Sequence, residues 1–320
     1  MKVMVTGASG FVGAHLLHRL GEMPGVSVVA MAHDVADSKS SAALKWLSLD
    51  ITNKGQVRSA VSEYKPNVIF HLAAQSHVPT SFAHPEATFQ VNIFGTLNVL
   101  EAVKSEAPEC TVINVGSAAI YGKTFKSGKS IDEDGALEPL NPYGVSKAAS
   151  DLLAGQYAAS SSVKTIRLRP LNHIGPGQSV DFVVPSFVTQ LLEIKKSGGK
   201  GILKVGDLSP ERDFLDVRDV VDAYVTIMTK RDQIASGEVF NICSGQSFKI
   251  ETVLKTLIDL IGVDVEVVVD PDRLRPVDMP IVSCSSDKLR EQLHWTPRYS
   301  LEQSLKDIIE SMEGHRGQGQ

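Results

Sequence analysis

The sequence predicts an α/β fold, a doubly wound parallel sheet followed by a smaller C-terminal unit. Three observations carry this. Short Val- and Ile-rich runs alternate with helical patterns through the first half of the chain, as strands covered on both faces do. Gly7, Gly10 and Gly13 stand between the first apolar run and the first helical pattern. After Pro170 the alternation gives way to a Gly-rich polar stretch over 172–181 and then to further helices.

The elements follow in order. The apolar run 2–5 is the first strand, and Leu16, Leu17 and Leu20 mark the helix behind the glycines. Further buried strands are expected over 27–32, 47–50 (ending at an acid), 68–73, 112–115 and 163–168. Helices are expected over 57–64, 89–106 and 146–160. Beyond Pro170, helical patterns cover 182–196, 216–229, 250–261 and 301–312, with strands at 239–242 and 263–269. The tail from Gly314 should be loose.

Composition narrows the class. At 320 residues the chain has room for one large domain or two. Hydrophobic residues make up 42% and charged residues 22%, which excludes a disordered or fibrous chain. The net charge of -5, with no Lys/Arg block, argues against a nucleic-acid partner. Cys110, Cys243 and Cys284 are scattered and odd in number, so free thiols are expected rather than a disulfide framework. The apolar start is broken by glycine within seven residues and reads as a strand, not a signal peptide. No run approaches the roughly 20 apolar residues of a membrane span. No membrane partner is expected, and the cytoplasm is the expected compartment.

Thr6-Gly7-Ala8-Ser9-Gly10-Phe11-Val12-Gly13 follows a strand and opens a helix. Gly7 permits the tight turn, Gly10 lets backbone N–H groups approach a pyrophosphate, and Gly13 lets helix and strand pack closely. With Phe11 and Val12 they form a candidate dinucleotide loop; a plain tight turn is the alternative. Asp50 and Ile51 are candidates for the adenine. Asp50 could instead cap the next helix. Leu72, Ala73 and Ala74 end the fourth strand, and their small size would let the cofactor pass close to the backbone. Ala32 stands where an NAD-selective carboxylate is expected, with Asp34 slightly late. NADPH is therefore favoured and NADH is the alternative. The dinucleotide-binding domain is expected over 1–168, with 211–245 returning to it. A smaller domain of 172–210 and 246–314 should hold the substrate, leaving 315–320 as tail.

Tyr143 and Lys147 are four apart at the start of a helix and share a face. An ammonium beside a phenol favours the phenolate, which suits a general acid or base for a carbonyl/alcohol couple. Ser117, just past the fifth strand, can donate to the same oxygen; a simple serine turn is its alternative. His71, His77 and His84 are too dispersed for a helical metal motif and read as ordinary wall or loop residues, so no metal is expected.

The glycine loop, HLAAQSHV at 71–78, VNIFGT at 91–96, SAAIYG at 117–122 and YGVSK at 143–147 together resemble the extended short-chain dehydrogenase/reductase family. That resemblance implies a Rossmann-type fold, NADPH or NADH, and Ser117, Tyr143 and Lys147 as the catalytic trio. It also matches Asn92 to an asparagine in the helix beneath the site, and it implies a homodimer through helices near 89–106 and 146–160. Dehydratases of the family carry Thr-Asp-Glu where this chain has Ser117-Ala118-Ala119. Removing water across C5–C6 needs an acid and a base, and two alanines supply neither.

The segments RPLNHIGPGQ, FVVPSFVTQ, ERDFLDVRDVVDAY and DPDRLRPVDMP resemble the family's reductases of GDP-4-keto-6-deoxy sugars. The resemblance implies reduction of the C4 ketone of GDP-4-keto-6-deoxy-D-mannose to GDP-D-rhamnose. It places Asn172, Val184, Arg212 and Arg275 around the nucleotide sugar and Asp278 near the nucleoside. Guanidinium forks suit diphosphates. Three other readings stay open: an NAD-dependent nucleotide-sugar 4-epimerase, a reductase of another nucleotide 4-keto-6-deoxy sugar, and a non-catalytic dinucleotide-binding regulator.

Overall fold

A computed structural model describes residues 1–35, 40–274 and 279–317, with side chains to residue 314. The strands are β1 (Lys2–Thr6), β2 (Ser27–Ala32), β3 (Leu44–Ser48), β4 (Val68–His71), β5 (Thr111–Val115), β6 (Lys164–Pro170), β7 (His173–Ile174), β8 (Lys200–Val205), β9 (Glu211–Asp213), β10 (Leu215–Asp216), β11 (Glu238–Ile242), β12 (Ser247–Lys249), β13 (Asp264–Val269) and β14 (Ile281–Val282). The helices are α1 (Phe11–Gly21), α2 (Lys54–Tyr64), α3 (Val78–Ala83), α4 (Pro85–Phe89), α5 (Gly95–Glu106), α6 (Pro142–Ser160), α7 (Val183–Lys196), α8 (Val217–Thr229), α9 (Ile250–Ile261), α10 (Asp287–Leu293) and α11 (Leu301–Gly317).

Seven strands form one sheet in the order β11-β6-β5-β4-β1-β2-β3. Every neighbouring pair is parallel. The order reverses between β1 and β4, which opens a crevice at the carboxyl ends of those strands. Both sheet faces are buried. One packs Val3, Val5, Phe70 and Leu168 against α1 and α8. The other packs Met4, Ile69 and Val112 against α2 and α5. A separate apolar cluster joins α7, α9 and α11 with Leu203 and Val205 of β8. Within the stretch expected to form the smaller unit, Leu289, Leu293 and Trp295 pack into the main sheet's cluster instead.

Local chemistry sets the helix starts that matter for the crevice. Pro142 opens α6, where its missing N–H costs nothing, and Asn141 Oδ1 accepts from Gly144 N at 2.8 Å. This starts α6 four residues before the apolar pattern and puts Tyr143 in its first turn, as the Tyr-Lys spacing predicts. Asn53, not Asp50, caps α2, with Oδ1 accepting from Gln56 N at 3.1 Å. The third strand runs over Leu44–Ser48 rather than to Asp50. The helix expected over 89–106 is broken by a π turn at Gln90–Phe94 between α4 and α5. Gly314 continues α11 rather than starting a loose tail.

Candidate active site at the carboxyl edge

Gly7 has φ +66, and a Cβ there would lie 2.8 Å from Ala73 N. The loop therefore lies directly against the end of β4. A Cβ on Gly13 would meet Gly7 O at 2.5 Å, so the third glycine seats α1 under the loop. Gly10 is the N-terminal cap residue of α1, in extended conformation, and no side chain caps the helix. The first-turn N–H groups at Phe11, Val12 and Gly13 lack intrahelical acceptors and carry the positive end of the helix dipole. A backbone cradle of this kind fits a dinucleotide pyrophosphate.

Beneath the loop runs a buried hydrogen-bond chain. Thr6 Oγ1 accepts from Leu72 N at 3.1 Å and Ala73 N at 3.0 Å. Its one proton therefore goes to His71 Nδ1 at 2.9 Å. His71 Nε2 then donates to Thr96 Oγ1 at 3.0 Å, and Thr96 donates to Asn92 O at 2.7 Å. His71 is neutral. Burial, with Lys147 nearby as the smaller cause, pushes its pKa down to about 3. It is a core bridge between β1 and α5, not the wall or loop residue its sequence context suggested.

The π turn aims Asn92 at α6. Asn92 Nδ2 donates to Ser146 Oγ at 2.8 Å and to Gln75 O at 3.0 Å, and Oδ1 accepts from Gln75 N at 2.8 Å. Ser146 Oγ donates to Tyr143 O at 2.7 Å. One extra residue in a helical turn is a common way to re-aim a functional side chain.

Ser117, Tyr143 and Lys147 come together at the ends of β5 and α6. The Ser117 hydroxyl is hydrogen-bonded to Tyr143 and opposes the burial that pushes the phenol pKa up. Ser117 Oγ also accepts from Ala119 N at 3.1 Å. Lys147 is buried one turn below Tyr143, and its Nζ donates to Val115 O at 2.8 Å. Burial pushes its pKa down to about 8.

The remaining expected positions are more dispersed. Asp50 sits past β3 in a turn, where its Oδ1 accepts from Thr52 N at 2.9 Å and Thr52 Oγ1 at 2.8 Å. Those bonds hold its carboxyl below the usual range. Ile51 is buried against the position of Gly95. Leu72, Ala73 and Ala74 follow β4 and are half-buried, and Ala32 ends β2 and is buried. Asn172 is exposed, and its backbone O accepts from Leu215 N at 3.0 Å. Arg212 is buried, with Nη1 donating to Glu211 O at 2.7 Å. Val184 lies in the first turn of α7. Its side chain is 1% exposed and packs into the cluster of α7, α9 and α11. Arg275 and Asp278 lie outside the described residues.

The bridging roles of Thr6, Thr96 and Gln75, and a buried ionic group around Asp151, emerge only in the folded structure. The visible signal for that last group was two arginines, Arg167 and Arg169, alternating with Ile166 and Leu168 in a strand pattern.

The parallel order, the glycine loop at its switch point and the Ser-Tyr-Lys arrangement define an extended short-chain dehydrogenase/reductase-fold enzyme. The sequence profile of the family described as GDP-mannose 4,6 dehydratase matches residues 4–308, and the chain belongs to that family. It is 34% identical over 317 residues to the GDP-6-deoxy-D-mannose reductase of Pseudomonas aeruginosa, covering 98% of this chain and 97% of the relative. Its fold is similar to the structure of RMD from Pseudomonas aeruginosa complexed with NADPH, with TM-score 0.85, 32% identity and coverage of 98% and 99%. It is equally similar to a Thermotoga maritima UDP-glucose 4-epimerase with UDP-glucose, with TM-score 0.86, 28% identity and coverage of 99% and 100%. The fold therefore does not separate reduction from epimerisation. No helix among the described residues is long and apolar enough to cross a membrane.

Proposed function

We propose that this protein uses NADPH to reduce the C4 ketone of GDP-4-keto-6-deoxy-D-mannose, giving GDP-D-rhamnose. The observation that carries the reading is the Ser117–Tyr143 contact beside Lys147, with alanine at 118 and 119. This arrangement can protonate and stabilise one oxygen, and it offers no acid pair for elimination. The full-length similarity to a GDP-6-deoxy-D-mannose reductase supports this substrate class.

Gly7, Gly10, Phe11, Val12 and Gly13 would hold the pyrophosphate, Asp50 and Ile51 the adenine, and Leu72, Ala73 and Ala74 the central stretch. Buried Ala32 presents no carboxylate to repel a 2′-phosphate. When bound, the reduced nicotinamide supplies the hydride for the ketone carbon. Tyr143 gives its phenol proton to the ketone oxygen. Ser117 donates to that oxygen, and the interaction strengthens as negative charge develops. Lys147 would hold the nicotinamide ribose and favour the phenolate that Tyr143 leaves. Asn172, Arg212 and Arg275, with the backbone around Val184, would bind the sugar diphosphate, and Asp278 the nucleoside. The cluster of α7, α9 and α11 backs this substrate side. Two copies would pair through α5 and α6.

The test supplies NADPH with a panel of nucleotide 4-keto-6-deoxy sugars and identifies the products. GDP-D-rhamnose from the GDP sugar is expected. Turnover of none of the panel, or tightly bound NAD with interconversion of UDP-hexoses, would overturn the reading.

A further inference from the structure

Tyr143, Lys147 and Asp151 repeat every four residues along α6 and share one face. The first two reach the reacting edge. Asp151 lies one turn deeper and is 0% exposed. Its Oδ1 accepts from Arg169 Nε at 3.1 Å, and its Oδ2 accepts from Arg169 Nη2 and Arg167 Nη1 at 3.0 Å each. Arg169 Nη1 continues to Tyr121 Oη at 2.9 Å and to Glu133 O at 2.8 Å. The guanidinium lies 5.3 Å from the centre of the Tyr121 ring. Tyr121 Oη donates onward to Asn241 Oδ1 at 2.8 Å.

Tyr121 closes the turn that begins at Ser117. Its N–H donates to Ala118 O at 3.1 Å, and Ile120 N donates to Ser117 O at 3.3 Å. The turn's other side is held by Gly116 N, which donates to Leu168 O at 2.7 Å. The ionic group thus joins the Ser117 turn to the helix that carries Tyr143. A buried ion pair gains little net stability over an apolar replacement, because desolvation offsets the attraction. What it adds here is a directional link of fixed geometry, through a planar fork, between two elements that must agree closely.

We propose that Asp151, Arg169 and Tyr121 form a positioning network that sets the Ser117 hydroxyl against Tyr143. The inference rests on the proposed roles of Ser117 and Tyr143 at the reacting oxygen. Tyr121→Phe keeps the ring and removes the bridging oxygen. It should lower kcat about tenfold, the scale of one lost hydrogen bond, with KM nearly unchanged. In a Ser117→Ala background the same change should cost less than about twofold, because the group it positions is gone. Arg169→Lys, which cannot make the fork, should show the same loss of additivity. Amide hydrogen exchange supplies a readout independent of turnover. Exchange at Ala119 should quicken about tenfold in Tyr121→Phe while α9 is unchanged. Equal losses of kcat in both backgrounds, or unchanged exchange at Ala119, would overturn the network. A parent protein that reduces no 4-keto sugar would instead overturn the proposed function, and the exchange experiment would still decide this one.

Discussion

Tyr143 has two neighbours with separate jobs. Ser117 touches its hydroxyl, and Lys147 lies a turn below, anchored on Val115 O. Tyr143→Phe should lower kcat by roughly 10²–10⁴-fold, the range for loss of general acid catalysis, with smaller effects on KM. Ser117→Ala should cost less, since Tyr143 remains as donor; stopped-flow NADPH oxidation checks both. Lys147 has its pKa pushed down to about 8, so its charge is present at neutral pH and is lost above about pH 8. The reduction rate should hold below that point and fall beyond it. In Lys147→Arg, a slower enzyme, the falling limb should move to higher pH, because arginine keeps its proton. His71 gives a stability prediction of definite sign. Its folded pKa of about 3 lies far below the 6.5 of an unfolded histidine, so acid favours the unfolded chain. Stability is complete above about pH 6.5 and falls as pH drops, by about 1.4 kcal/mol per pH unit for this one group. Urea midpoints at pH 7.5 and 5.5 should therefore differ more for the parent than for His71→Asn. Equal differences would assign the acid sensitivity to other groups.

At the scale of elements, two backbone irregularities build the crevice. The first is the turn at Gly7. Alanine there would need a positive φ and would place a methyl group 2.8 Å from Ala73 N, against backbone of Leu72 and Ala73 that cannot readily yield. Gly7→Ala should weaken NADPH binding at least about tenfold, as two strained contacts each cost on the order of 1 kcal/mol or more. Fluorescence titration measures it directly. The second is the π turn at Gln90–Phe94, which gives Asn92 its bonds to Ser146 and Gln75. A regular helix over the same residues would point that side chain elsewhere. Asn92 itself was legible through a family motif, but the turn that aims it was not. A π turn has no composition of its own, and it forms because the Asn92 amide meets partners from the loop after β4 and from α6.

Across the whole molecule, apolar side chains remain on one face of α6. Val145 is 43% exposed, and Leu152, seven residues on and on the same face, is 58% exposed. That face is the one expected to pair with a second copy. Light scattering should give a dimer at micromolar concentration for the parent and a monomer for Leu152→Glu, whose carboxylate would be buried without a partner. A parent monomer would reject the pairing.

The sequence by itself determined the alternation of strands and helices, the glycine loop and the Tyr-Lys pair. These depend on local patterning: two-sided burial makes short apolar runs, a left-handed turn demands glycine, and residues four apart share a helical face. The tertiary structure decided which distant polar groups meet. His71 had no local partner to mark it as a bridge between Thr6 and Thr96, and Val184 had no local sign that it would point inward. Nothing beside Asp151 in the sequence marks it as a buried ion partner; β6 brings Arg167 and Arg169 to it. Buried polar groups must find partners wherever the fold brings them, and strand order, not neighbouring sequence, sets which ones arrive.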